Sequence, residues 1–132
     1  MQPMHAQPSL ARQSLPWRVL LVLLIGGISV LALTPAPPTH LSLGWDKLNH
    51  MLAFAGLALC ATLGWRTPRW LRVTLLAALL AFGGLIELLQ LLVPNRTAEW
   101  GDLGADAIGI AIGLLVASVL LRLARARPKP GR

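Results

Sequence analysis

Charge is what this chain has least of. Only 13% of its 132 residues are Asp, Glu, Lys or Arg, about half the share in ordinary soluble domains. Hydrophobic residues make up 55%, and the mean hydropathy is +0.65. A chain this short keeps too large a surface-to-volume ratio to hide so much apolar surface in a water-soluble core. Lipid is therefore the expected solvent. Cysteine is limited to Cys60, inside an apolar run. That excludes an internal disulfide and reads as a buried structural thiol. Acids are the scarcest charged class, with only Asp46, Glu87, Glu99, Asp102 and Asp106. The net charge of +7 would raise the question of nucleic acid on a soluble protein. Here the basic residues sit between and after apolar runs, the pattern that the positive-inside rule produces, and no nucleic-acid partner is expected.

What is present is apolar sequence in four runs, 17–34, 48–65, 70–93 and 103–121. Each is close to the roughly 20 residues that cross about 30 Å of hydrocarbon. Four helices satisfy the backbone of such runs in lipid. Residues 1–16 are polar and lack apolar periodicity, so they are expected to be a disordered cytoplasmic segment. The first run has the basic flank and apolar centre of a signal peptide. It ends in Thr34-Pro35-Ala36-Pro37-Pro38, which suits a rigid linker better than a cleavage site, so the expectation is an uncleaved helix. Residues 122–132 form a basic tail.

The connections alternate in charge. Arg12 and Arg18 flank the start of the first run, and 34–45 holds no Lys or Arg. Arg66, Arg69 and Arg72 flank the next turn, and Arg96 is the only cation of the one after it. Arg122, Arg125, Arg127, Lys129 and Arg132 follow the last run. This alternation predicts both termini in the cytoplasm. Trp17, Trp45, Trp65, Trp70 and Trp100 all fall at run ends or in turns, the headgroup depth that suits an apolar ring with a polar N–H.

With that topology, all five acids lie in the extracytoplasmic half. Asp46 and His50 are four apart and share a face. Glu87 and Gln90 are three apart, with Gly83 one turn from Glu87. Asp102, Asp106, Gly109 and Gly113 form one stripe, carboxylates outside and small residues inward. Gly109 to Gly113 is a GxxxG pattern that admits a second helix, from this chain or from another copy in an oligomer. The same face carries acids and helix contact, so the acids are expected to look into the bundle. Plainer readings exist: Asp46 and Asp102 as helix caps, Lys47 snorkelling to headgroups, Glu99 solvated in a turn, His50 as an interfacial hydrogen-bonding residue. Glu87 resists a plain reading, because an acid in an apolar run costs roughly 2.5–3.5 kcal/mol at mid-membrane and calls for a partner. His50, Lys47 and Arg96 are the available ones.

The stretch from Asp46 to Gly113 resembles the VanZ-like family of small bacterial membrane proteins. The matching pieces are Asp46-Lys47-Leu48-Asn49-His50 with Ala53-Phe54, Glu87-Leu88-Leu89-Gln90, Pro94-Asn95-Arg96, Asp102-Leu103-Gly104-Ala105-Asp106 and Gly109 to Gly113. The family often has Asn where this chain has Asp106. The resemblance implies a multi-pass protein of the bacterial cytoplasmic membrane. The family takes its name from a protein associated with teicoplanin resistance, which implies a role at the cell envelope.

The expected fold is an all-α four-helix membrane bundle. The expected function is an envelope protein with a polar pocket facing the outer leaflet. It would bind a lipid headgroup, a cell-wall precursor or a glycopeptide-like ligand through Asp46, Lys47, His50, Glu87, Gln90, Arg96, Asp102 and Asp106. Arg96 suits a phosphate or carboxylate through its planar fork. Two other classes compete. One is an enzyme with His50 and Glu87 or Asp102 as acid and base, or with the same groups on a divalent metal. No nucleophile supports it, since Ser42 and Thr97 are the only hydroxyls nearby. The other is a structural subunit whose polar cluster only locks the bundle. No metal or cofactor is part of the favoured reading.

Overall fold

The computed structural model describes residues 10–35, 46–65, 68–94, 96 and 98–126. Among them the backbone forms four α-helices and no strand: α1 (Leu10–Ala32), α2 (Asp46–Gly64), α3 (Arg69–Gln90) and α4 (Trp100–Ala126). The all-α bundle expected from the apolar runs is what the chain forms.

The helix ends differ from the run ends, for local reasons. α1 begins at Leu10, so residues 10–16 are helical where disorder was expected. Pro16 lies inside this helix and contributes no amide donor. Tertiary contacts hold the segment: Ser14 is buried, and Arg18 donates from Nε to the Gly64 carbonyl at 2.7 Å while its guanidinium lies 4.8 Å over the Trp65 ring. α3 stops at Gln90, three residues before the apolar run does. Pro94 disfavours helical backbone at Val93, and the chain tightens through Leu92 N–H to Leu89 O and Val93 N–H to Gln90 O, each 3.0 Å. α4 continues through Ala126, so the first part of the basic tail is helical. Residues 1–9 and 127–132, together with Trp45, lie outside the described residues.

Three helices are long and apolar enough to cross a membrane: α1 over Ser14–Ala32, α3 and α4. Only 6%, 28% and 22% of their most apolar windows are buried inside the protein, so the remaining apolar surface needs lipid as its solvent. α2 is not among them, because Asp46, Lys47, Asn49 and His50 occupy its first two turns. It is instead the central helix. α2 touches α1, α3 and α4, and its most extensive contact is with α4.

Glycine makes that contact possible. A Cβ at Gly109 would collide with the Met51 carbonyl oxygen, and one at Gly113 with the Ala55 carbonyl oxygen. The GxxxG face is thus filled by α2 of the same chain. Phe54, Leu57, Ala58, Cys60 and Ala61 of α2 form most of the core, with Leu21, Leu79 and Ile110 closing it. Cys60 is buried and free.

Candidate functional site

The antiparallel course of the helices brings the start of α2, the end of α3 and the start of α4 to one end of the bundle. Every acid of the chain sits there. Asp46, Lys47 and His50 come from the first two turns of α2, and Glu87 from the last turn of α3. Glu99 precedes α4, and Asp102 and Asp106 stand one turn apart at its start.

His50 is at the centre. Its Nδ1 lies 2.9 Å from Oδ1 of Asp106, which is 0% exposed. Its Nε2 faces Oε1 of Glu87 at 3.9 Å, a distance too long for a hydrogen bond. The expected Glu87–His50 neighbours are therefore present, with Asp106 as the closer partner. Glu87 accepts through Oε2 from the backbone N–H of Glu99 at 2.9 Å, which ties α3 to the turn before α4. Oε1 of Glu87 and Oδ2 of Asp106 are buried and accept no hydrogen bond from the described residues. Oδ2 of Asp106 is seated against Gly83, where a Cβ would collide with it. Asp46 is exposed at the rim, and its carboxylate, a ring nitrogen of His50 and a carboxylate oxygen of Asp102 lie within 4.8 Å of one another.

Lys47 closes the cluster from outside. Its Nζ donates to Oε2 of Glu99 at 2.7 Å and to Oδ1 of the buried Asp102 at 3.2 Å. The hydrogen bonds from Lys47 pull the Glu99 carboxyl below its ordinary range, and those to Glu99 and Asp102 hold the Lys47 ammonium above its own. The pair is therefore ionised at neutral pH. Glu99 was expected to be merely solvated. It is exposed, yet its carboxylate is paired and its amide fixes Glu87. The three-residue spacing of Glu99 and Asp102 across a helix start was the available signal.

Two residues expected in the cluster are turned elsewhere. Gln90 donates from Nε2 to the Ala32 carbonyl at 3.1 Å. Arg96 donates from Nε to Thr34 O at 3.3 Å and from Nη2 to Leu31 O at 3.1 Å. The last carbonyls of α1 have no partner within their own helix, and a cation at a helix C-terminus also meets the negative end of its dipole. That demand holds Arg96 and Gln90 on α1. Asp46, Lys47, His50, Glu87, Asp102 and Asp106 are brought together as expected. Ser42 and Thr97 lie outside the described residues.

Beside the cluster, a cleft of about 440 Å³ opens between α3 and α4, walled mostly by apolar residues such as Gly84, Leu88 and Leu103, with Glu87, Glu99 and Trp100 also in its lining.

No curated protein and no solved structure matches the chain. A family model does, with the description VanZ/LLP1, over residues 3–122. The matched stretch contains all four helices' contributions to the polar end. This membrane protein belongs to the VanZ/LLP1 family.

Proposed function

We propose that the protein binds an envelope amphiphile, a phospholipid or lipid-linked cell-wall precursor, with its headgroup at the His50 cluster and its chain in the α3–α4 cleft. The observation that carries this reading is the continuity of the cleft with Glu87 and Glu99. The apolar wall supplies area for a chain. The exposed carboxylates of Asp46 and Glu99, with Glu87 in the cleft wall, supply acceptors for amines and sugar hydroxyls. An enzyme is the second reading, favoured by one feature: His50 stands between two carboxylates, one fixing Nδ1 and one facing Nε2, an arrangement suited to moving a proton.

Filling the cleft tests the binding reading. A Cβ at Gly84 has no atom within 4 Å and Gly84 lines the cleft, so Gly84→Phe is expected to fill the cleft. Wild-type protein in detergent should retain phospholipid or lipid-linked precursor through gel filtration, read by mass spectrometry. Gly84→Phe should lose it while melting at the same temperature. Equal retention by the two proteins removes the cleft from the function.

The basic flanks of the other end, Arg18, Arg69, Arg72, Arg122 and Arg125, support an extracytoplasmic position for the polar end. Reporters fused after Pro38 and at Asn95 should therefore read as extracytoplasmic, and those at Thr67 and after Arg132 as cytoplasmic. A C-terminal reporter on the outer side would reverse the assignment and place the cluster at the inner leaflet.

A further inference from the structure

The cluster is over-supplied with negative charge. Five acids surround Lys47 and His50, and the remaining nearby cation, Arg96, is held on α1. Lys47 satisfies Glu99 and Asp102. Asp46, Glu87 and Asp106 are left with His50. Glu87 is 7% exposed and Asp106 0%. Buried carboxylates that lack a compensating charge are costly. Independently of that sum, one buried carboxylate oxygen, Oε1 of Glu87, faces His50 Nε2 at 3.9 Å and has no hydrogen-bond partner among the described residues.

We infer that this end of the bundle is a divalent metal site, in which Asp46, His50 and Asp102 hold one transition-metal ion such as Zn²⁺ or Mn²⁺. Their donor atoms already lie within 4.8 Å of one another, so small side-chain movements close them around an ion. They come from two helices locked together by Gly109 and Gly113, which fixes the spacing. One imidazole with two carboxylates suits zinc or manganese and disfavours calcium, which prefers an all-oxygen shell. Asp106 holds Nδ1 of His50 at 2.9 Å, leaving Nε2 to bind, the outer carboxylate that metal-binding histidines commonly have. Glu87 Oε1 stands next to that nitrogen as a further donor to the ion or to its water. Lys47 contacts Asp102 and so competes with the ion for that carboxylate.

The inference rests on the headgroup reading for its consequence alone. A metal with an open position would turn an acid-rich pocket into one that accepts an anion, so the ligand would be the phosphate or carboxylate end of the amphiphile.

The test uses the full chain, purified in detergent without a histidine tag and with His5→Ala and His40→Ala, so that His50 is the one imidazole. Co²⁺ is the probe, because its visible absorption reports ligation directly and needs no lipid. One Co²⁺ per chain is expected, displaced by Zn²⁺ and unaffected by millimolar Ca²⁺. His50→Ala and Asp102→Asn should each abolish the absorption. Asp106→Asn should weaken binding by about 10–100-fold, the usual effect of losing a supporting carboxylate. Lys47→Met should tighten binding, on the order of tenfold, by removing a competing cation. That gain cannot come from misfolding. Absence of saturable Co²⁺ absorption in the parent chain, or absorption that survives His50→Ala, overturns the site. Lipid retention that is equal with Zn²⁺ and with chelator, alongside clear Co²⁺ binding, keeps the metal and removes its link to the headgroup.

Discussion

Gly113→Leu should strip the folded protein from the membrane, and Gly109→Leu should do the same. At Gly113 even a Cβ collides with the Ala55 carbonyl oxygen and lies 3.0 Å from Ala58 Cβ. At Gly109 it collides with the Met51 carbonyl oxygen and lies 3.1 Å from the Ala55 nitrogen. Those are mostly backbone atoms of a helix and cannot swing aside. α2 and α4 must separate, and this is the bundle's most extensive helix contact. Overpacking alone typically costs about 1–3 kcal/mol. Separation also draws His50 away from Asp106, leaving charged or polar atoms without partners in a part-buried site, so the total should exceed that range. Alanine at either position should fall between glycine and leucine. Gly104→Leu is the control, since a Cβ there has no atom within 4 Å. Membrane abundance and thermal unfolding in detergent read the effect. Unchanged melting of Gly113→Leu would mean that α2 and α4 do not cross closely at this point.

Asp106→Ala carries the second large effect. Asp106 is fully buried and accepts from, or pairs with, His50 Nδ1 at 2.9 Å. Removing one partner of a buried pair usually costs about 3–5 kcal/mol, because the other is left uncompensated. Asp106→Asn keeps a carbonyl acceptor of the same shape for an Nδ1–H donor and should melt close to wild type. His50→Leu with Asp106→Leu removes both polar groups and should recover much of the loss of the single alanine, as apolar replacement of buried pairs often does. Glu87→Gln belongs in the same series. An amide oxygen can still accept from the Glu99 N–H, so folding should persist. If the cluster binds a headgroup, lipid retention should fall in Glu87→Gln with no change in melting. An Asp106→Ala protein as stable as Asp106→Asn would show that His50 does not depend on this carboxylate.

Gly83 brings α3 up to the same α2–α4 contact. A Cβ there meets Asp106 and lies 3.1 Å from the Phe54 ring. The third helix can come close to the buried carboxylate because this position has no side chain. The sequence showed two adjacent glycines near the middle of the run, a pattern equally compatible with a bend. Only the packed structure separates them. Gly83 is the contact, and Gly84 faces the open cleft.

Composition and spacing determined much of this protein by themselves. An apolar chain with so few charges has no stable form in water, and apolar runs of membrane length have no simpler form in lipid than helices. The placement of every acid at one end followed from run order, because antiparallel neighbours reverse direction at each turn. The four-residue spacings of Asp46 with His50 and of Asp102 with Asp106 put each pair on one helix face. Those are properties of single helices, so a linear sequence carries them. What it did not carry was partner choice between helices. Which carboxylate holds His50, that Lys47 bridges Glu99 and Asp102, and that Arg96 and Gln90 close the end of α1 all depend on how the helices are rotated about their axes. Rotation is decided by packing, here by Gly109 and Gly113 against the α2 backbone and by the carbonyls that α1 leaves unpaired at its last turn. The extension of α1 back to Leu10 through Pro16 is a different case: Leu10, Ala11, Arg12 and Gln13 are good helix formers, but the segment has no apolar periodicity to reveal a helix, and the contact of Arg18 with Gly64 and Trp65 at the end of α2 helps to hold the helix past Pro16.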